Sequence, residues 1–221
     1  MLPKIDQAIA ATIDHTVLKV DTDSAAIEQL CTEAKNYGFA AVCVPPHFVK
    51  QAVIALQNTK VQVATVVGFP LGYTDVTLKI LEIKLAALQG VHEIDAVINV
   101  AALKSGQWEI LAYEIASIAG ACRAAKVLSK IIIETAVLND QEIIKVCSLC
   151  AKYAVNYVKT STGFSKAGAT VHHITLMRQA LPATIKLKAS GGIRTREVAK
   201  VLIAAGANRL GCSQGIKIVT L

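Results

Sequence analysis

Two lysines lie inside apolar, β-rich runs of this sequence: Tyr157-Val-Lys159-Thr-Ser161-Thr-Gly163 and Ile185-Lys-Leu-Lys188-Ala-Ser190-Gly191-Gly192. Side chains alternate along a strand, so Lys159 shares a face with Ser161 and Lys188 with Ser190. Adjacent parallel strands run about 4.8 Å apart. If both lysines face one interior, their ammonium groups come close. A desolvated amine beside a like charge gives up its proton more easily, and a neutral amine is the nucleophile that covalent carbonyl chemistry needs. One lysine can stay charged and keep its neighbour neutral. The plainer alternative is a lysine that reaches solvent past a helix. That suits Lys186, which shares a face with Lys188 but lies toward the N-terminal end of its run. Asp95 interrupts a third apolar run, Glu93-Ile-Asp95-Ala-Val-Ile-Asn99, with Val97 and Asn99 on its face. An inward carboxylate needs a cation or a proton-transfer role. A lysine in the same interior would satisfy it, with or without catalysis.

Three glycine-rich turns accompany these runs: Thr162-Gly163, Gly191-Gly192-Ile-Arg194 and Gly211-Cys-Ser213-Gln-Gly215. Backbone N–H groups in such turns bind anions, and barrel enzymes commonly hold phosphate after their last strands. Gly163, Gly191, Gly192, Gly211 and Ser213 are therefore the candidate anion-binding residues.

The elements that would position these groups alternate β-rich and helical. Eight candidate strands read Thr12–Leu18, Ala40–Pro45, Val61–Gly68, Glu93–Asn99, Lys130–Thr135, Tyr157–Thr162, Ile185–Ser190 and Arg209–Cys212. A helix capped within Asp21–Ser24 would bury Ile27, Leu30, Cys31 and Ala34 and stop at Gly38. Another covers 139–152, a long one runs from about Gly106 to a close at Leu128-Ser129, and a short one spans 3–10. Eight βα units allow a closed barrel or an open doubly wound sheet. Polar candidates at the ends of many different strands favour the barrel, as does a first turn, Leu18-Lys-Val-Asp-Thr, that lacks glycine. The expectation is a single (β/α)₈ TIM-barrel domain over 1–221, with a short N-terminal helix and a short or missing eighth helix.

Composition narrows the partners. Apolar residues make up 53% and aromatics 5%, so the core must come from Ala, Val, Ile and Leu, as in a parallel sheet covered on both faces. The mean hydropathy is +0.49, yet no uncharged run reaches the ~18 apolar residues of a membrane span. The first fifteen residues carry no signal pattern, and a cytoplasmic protein is expected. The net charge of +7 comes without a basic run or a basic-aromatic stripe, so no nucleic acid is expected; a mildly basic field also suits a small anionic substrate. Of six cysteines, Cys147 and Cys150 form a lone C-x-x-C, but with Ile143 and Val146 they make a helical stripe and read as core. Cys43 also reads as core, near the second strand's end.

Several strings resemble deoxyribose-phosphate aldolases over about residues 12–219: Lys159-Thr-Ser-Thr-Gly-Phe164, Lys188-Ala-Ser-Gly-Gly-Ile-Arg194, Val67-Gly-Phe-Pro-Leu-Gly72, Glu93-Ile-Asp95 with Val97-Ile-Asn99, Ala102-Leu-Lys-Ser-Gly106, Ile133-Glu-Thr135 and Asp14-His-Thr-Val-Leu-Lys19. The resemblance implies a class I, Schiff-base aldolase that reversibly cleaves 2-deoxy-D-ribose 5-phosphate to acetaldehyde and D-glyceraldehyde 3-phosphate. By it, Lys159 is the Schiff-base nucleophile, Lys188 lowers the pKa of Lys159 and assists proton transfer, and Asp95 donates and accepts protons. It implies no cofactor and no metal, a phosphorylated sugar as partner, and a homodimer. Cys212 and Gln214 depart from the family's final motif, while Ser213 and the backbone N–H groups remain. The other readings are a different Schiff-base or transaldolase-like barrel and a non-catalytic sugar-phosphate-binding barrel.

Overall fold

The computed structural model describes residues 4–221. Eight parallel strands close into one barrel in chain order. They are β1 (Ile13–Thr16), β2 (Ala41–Val44), β3 (Gln62–Val67), β4 (Glu93–Val97), β5 (Leu128–Ile132), β6 (Tyr157–Lys159), β7 (Lys186–Ser190) and β8 (Arg209–Cys212). The helices are α1 (Gln7–Ala10), α2 (Ser24–Tyr37), α3 (Val49–Ala55), α4 (Val76–Leu88), α5 (Val100–Lys104), α6 (Trp108–Ala124), α7 (Asp140–Lys152), α8 (Val171–Ala180), α9 (Arg196–Ala204) and α10 (Gly215–Val219). This is the (β/α)₈ architecture expected from the alternation, with a five-residue helix after the last strand.

Local chemistry fixes the helices that flank the site. Asp23 accepts from the Ala26 N–H at the start of α2, Gly38 ends it at φ 71°, and its buried face is Ile27, Leu30, Cys31 and Ala34. Asn139 and Glu142 form a capping box on α7, which buries Ile143, Val146, Cys147 and Cys150. The C-x-x-C pair is thus core, and burial pushes the Cys147 thiol up to about 12. The main apolar core lies between strands and helices. A smaller cluster of Cys43, Ala64 and Val66 packs with Leu18 and Phe69.

Most strands are shorter than expected, chiefly at their C-terminal ends, while β8 spans Arg209–Cys212 as read from the sequence. There the chain leaves the ladder to make βα loops. Gly68 takes φ 60° and Gly163 φ 90°, and Asn99 belongs to no strand but caps α5 through the Ala102 N–H. β5 begins at Leu128, so the long helix does not run to Leu128-Ser129. It ends at Ala124, and Lys126 at φ 58° turns the chain. Of the short helix expected over 3–10, α1 covers the last turn; residue 3 lies outside the described residues.

Candidate active site

Parallel register puts Lys159 beside Lys188, Asp95 beside Lys130 and Lys188 beside Arg209. The inward side chains form a buried charge cluster. Asp95 is its hub: Oδ2 accepts from Lys159 Nζ at 2.7 Å and Lys188 Nζ at 2.8 Å, and Oδ1 from Lys130 Nζ at 2.7 Å. Lys130 also meets Glu93 at 2.6 Å, and Lys188 meets Asp14 at 2.5 Å. Arg209 closes the circuit by donating to Glu93 at 2.9 Å and to Asp14. Lys130, Lys188, Asp14, Asp95 and Glu93 have no exposed surface.

The cluster holds four basic side chains, Lys130, Lys159, Lys188 and Arg209, against three carboxylates, Asp14, Glu93 and Asp95. Fully ionised, it carries one uncompensated buried positive charge, a costly state. It balances when one amine is neutral. Burial depresses the Lys159 amine most; Asp95 opposes this, Lys188 adds to it, and the net result lies below the ordinary lysine value. Burial also works against charge on Lys188, but Asp14 and Asp95 outweigh it and raise its pKa. Lys130 is raised well above the usual value by Asp95, Glu93 and Asp14 despite burial. Burial pushes the Asp95 carboxyl up, yet Lys130, Lys159 and Lys188 hold it well below the carboxylate range. Lys159 is thus the amine most easily left neutral, and it has a single carboxylate partner where Lys188 and Lys130 have more.

Lys159 opens into a cavity of about 290 Å³ at the C-terminal mouth of the barrel, while Lys188 and Asp95 lie behind it. Gly163, Gly191, Gly192, Gly211 and Ser213 all line this cavity. Gly163 and Gly192 have positive φ and open space where a Cβ would sit. At Gly211 a Cβ would lie 3.0 Å from Lys188 Cε, so the backbone there must approach the lysine bare. Phe164, at the mouth, meets Phe69 edge-on with ring centroids 5.3 Å apart. Lys166 is exposed and not part of the lining, and Lys186 is exposed at the far end of β7 beside Tyr157. Cys43 is sealed in the inner apolar cluster, its thiol pushed up to about 11 by burial.

Sequence reasoning missed several participants. Lys130, Asp14, Glu93 and Arg209 complete the charge cluster, and Lys19 and Arg194 add cations to the cavity wall. Lys130, within Ser129-Lys130-Ile-Ile-Ile, carried the same signal as Lys159, a lysine in an apolar run. Glu134, at φ 56°, accepts from the Thr162 N–H at 3.2 Å and hydroxyl at 2.5 Å, and so fixes the Thr162-Gly163 turn. Buried Lys79 of α4 pairs with Glu114 at 2.6 Å, donates to the Val97 carbonyl at 2.8 Å and also to that of Gly72, anchoring the loop that carries Phe69. Among the described residues no cluster of metal-ligating side chains is found; the cluster's carboxylates are engaged by lysine and arginine.

A closed parallel barrel with a depressed amine opening into a glycine-walled cavity defines an enzyme of the barrel aldolase class. The chain belongs to the DeoC/LacD aldolase family, whose description matches residues 8–219. It is 46% identical to a deoxyribose-phosphate aldolase of Thermoanaerobacter sp. (strain X514), over 96% of this chain and 95% of that protein. It is 48% identical to one of Caldicellulosiruptor saccharolyticus, over 96% and 97%. Among solved structures, the deoxyribose phosphate aldolase of Aeropyrum pernix, described as a unique tetramer, superposes with a TM-score of 0.89 at 26% identity, covering 96% of this chain and 89% of that one.

Proposed function

We propose that this aldolase cleaves 2-deoxy-D-ribose 5-phosphate reversibly to acetaldehyde and D-glyceraldehyde 3-phosphate through a Schiff base on Lys159. The observation that carries the reading is the charge count: the buried cluster is neutral when Lys159 is the unprotonated amine. Neutral Lys159 attacks C1 of the open-chain aldehyde, and the carbinolamine loses water to give an iminium. The C3 hydroxyl then loses its proton, the C2–C3 pair flows into the iminium to form an enamine, and glyceraldehyde 3-phosphate leaves. Protonation at C2 and hydrolysis by one water release acetaldehyde and restore the amine. Asp95 takes and returns protons, working through water, while charged Lys188 beside it keeps Lys159 from holding a proton in the free enzyme.

The phosphate would sit against the turns at Gly163, Gly191–Gly192 and Gly211–Ser213, with Arg194 and Lys19 at the rim. The iminium supplies the electron sink, so the reaction needs no cofactor or metal. The reading includes a single barrel domain over 1–221, a homodimeric assembly and a cytoplasmic setting. No helix among the described residues is long and apolar enough to cross a membrane.

The test is trapping with acetaldehyde and sodium borohydride, followed by peptide mapping. A reduced two-carbon adduct on Lys159, present with EDTA and absent in Lys159→Ala, is expected. Folded protein without that adduct would overturn the mechanism.

A further inference from the structure

Arg209 takes no part in the reaction steps above, yet the charge cluster is tied together through it. It opens β8, as Glu93 opens β4, and those two strands face each other across the closed barrel. Its guanidinium crosses the floor of the lumen, at the N-terminal end, and donates to Glu93 at 2.9 Å and to Asp14. It does not line the cavity into which Lys159 opens. A side chain placed there touches no substrate, so its influence on the reaction is electrostatic.

Two chains of ion pairs lead from Arg209 to the reactive amine. One runs through Glu93 to Lys130 at 2.6 Å and on to Asp95 at 2.7 Å, whose other oxygen holds Lys159 at 2.7 Å. The second runs through Asp14 to Lys188 at 2.5 Å and reaches the same Asp95 at 2.8 Å. Without Arg209, Lys130, Lys159 and Lys188 would face Asp14, Glu93 and Asp95, and the cluster would be neutral with every group ionised. Arg209 adds the fourth positive charge. A guanidinium does not shed its proton in a protein. Burial works against that charge, but Asp14 and Glu93 outweigh it. The excess must leave from a lysine, and Lys159 has one carboxylate partner and an opening to the cavity.

The remaining ionisable groups around Lys159 do not alter this count. Burial keeps the Cys43 thiol of β2 neutral. β3 carries no ionisable residue. Tyr157 of β6 lies beside Arg209, and a phenol is neutral at ordinary pH. Glu134 is turned to Thr162. Lys19 and Arg194 stand exposed at the cavity mouth, where water screens them.

We propose that Arg209 is a positioning residue for catalysis: fixed across the barrel floor, it supplies the buried charge that drives the proton off Lys159. This rests on the Schiff-base reading of Lys159 above.

The test compares the full-length wild type with Arg209→Met, Glu93→Gln and the double variant. The acid limb of kcat/KM for 2-deoxy-D-ribose 5-phosphate reports the free enzyme's essential base. Trapping of acetaldehyde with sodium cyanoborohydride, mapped to Lys159, gives the same limb without a phosphate to titrate. Arg209→Met balances the fully ionised cluster, so its limb should rise by roughly one pH unit and activity should recover at higher pH. Glu93→Gln enlarges the excess, so its limb should fall. The double variant restores one excess charge and should return the limb to the wild-type position. Structural damage alone would lower the plateaus without moving the two single-variant limbs in opposite directions. Limbs that stay in place, or that move the same way in both single variants, overturn the proposal while leaving Lys159 as the nucleophile. Should Arg209→Met fail to fold, a Glu93→Gln limb that stays or rises overturns it equally. A wild type that forms no adduct on Lys159 removes the Schiff-base reading, and this proposal with it.

Discussion

Lys159 carries a tension set by its neighbours. Its pKa in the fold lies below the ordinary lysine value, so unfolding lets it take up a proton that the native state refuses. That is a stability cost, fully present below the folded pKa and vanishing as pH rises to the unfolded one. Lys159→Met should therefore raise the melting temperature at neutral pH while abolishing borohydride trapping, the trade expected where function stores strain. For a chain of this size about 1 kcal/mol corresponds to ~2–4 °C. An unchanged or lower melting temperature would mean that the amine is not held against its preference. Lys188→Met tests the neighbour. Without that charge Lys159 holds its proton more tightly, so trapping yield against pH should move its acid limb upward. The same change strands part of the charge on Asp14 and Asp95 and should destabilise by about 3–5 kcal/mol, read in urea melts. A limb that stays in place would show that burial alone, the largest influence on Lys159, sets its pKa.

The elements serve the site through their ends. α7 starts at the Asn139–Glu142 capping box, and Glu142 also accepts from Lys104 at 2.8 Å. Asn139→Ala should cost about 1 kcal/mol, seen in thermal unfolding, with trapping on Lys159 intact because the box touches none of the charge cluster. The strand ends show why boundaries were less legible than strands. Hydrophobic alternation found all eight, but it runs on past the end of the regular strand, where Ile98 and Ile133 still donate across to the Ile132 and Lys159 carbonyls. Ile98 and Ile133 are as apolar and buried as the strand residues before them. What ends the strands is backbone conformation, as at Gly68, Glu134 and Gly163. The glycines could be read in sequence, whereas a glutamate with positive φ could not.

At the scale of the whole molecule, the charge cluster sets the pH range of stability. Asp14 and Asp95 have depressed pKa values, so their contribution is present above the ordinary carboxylate value and is lost as pH falls through the folded ones. Lys130 and Lys188 are raised, so theirs is present below the ordinary lysine value and is lost as pH climbs through the folded ones. The melting temperature should hold a plateau between and fall off below about pH 4 and above about pH 10.5. A steep loss inside that plateau would assign the stability to groups other than the cluster.

The sequence by itself pointed to the barrel, because eight βα periods, polar residues at the ends of many strands and a first turn without glycine are all local patterns. It also determined which lysines and which carboxylate stood out, because a charge in an apolar run is visible without coordinates. It gave the anion-binding candidates as turns, and all five meet at one cavity. Only the tertiary structure decided how the charges balance. Asp14 and Arg209 are 195 residues apart in sequence and become partners because β1 closes the barrel against β8. Whether Lys159 is the neutral amine depends on counting every charge that closure brings together, and that count belongs to no segment of the chain.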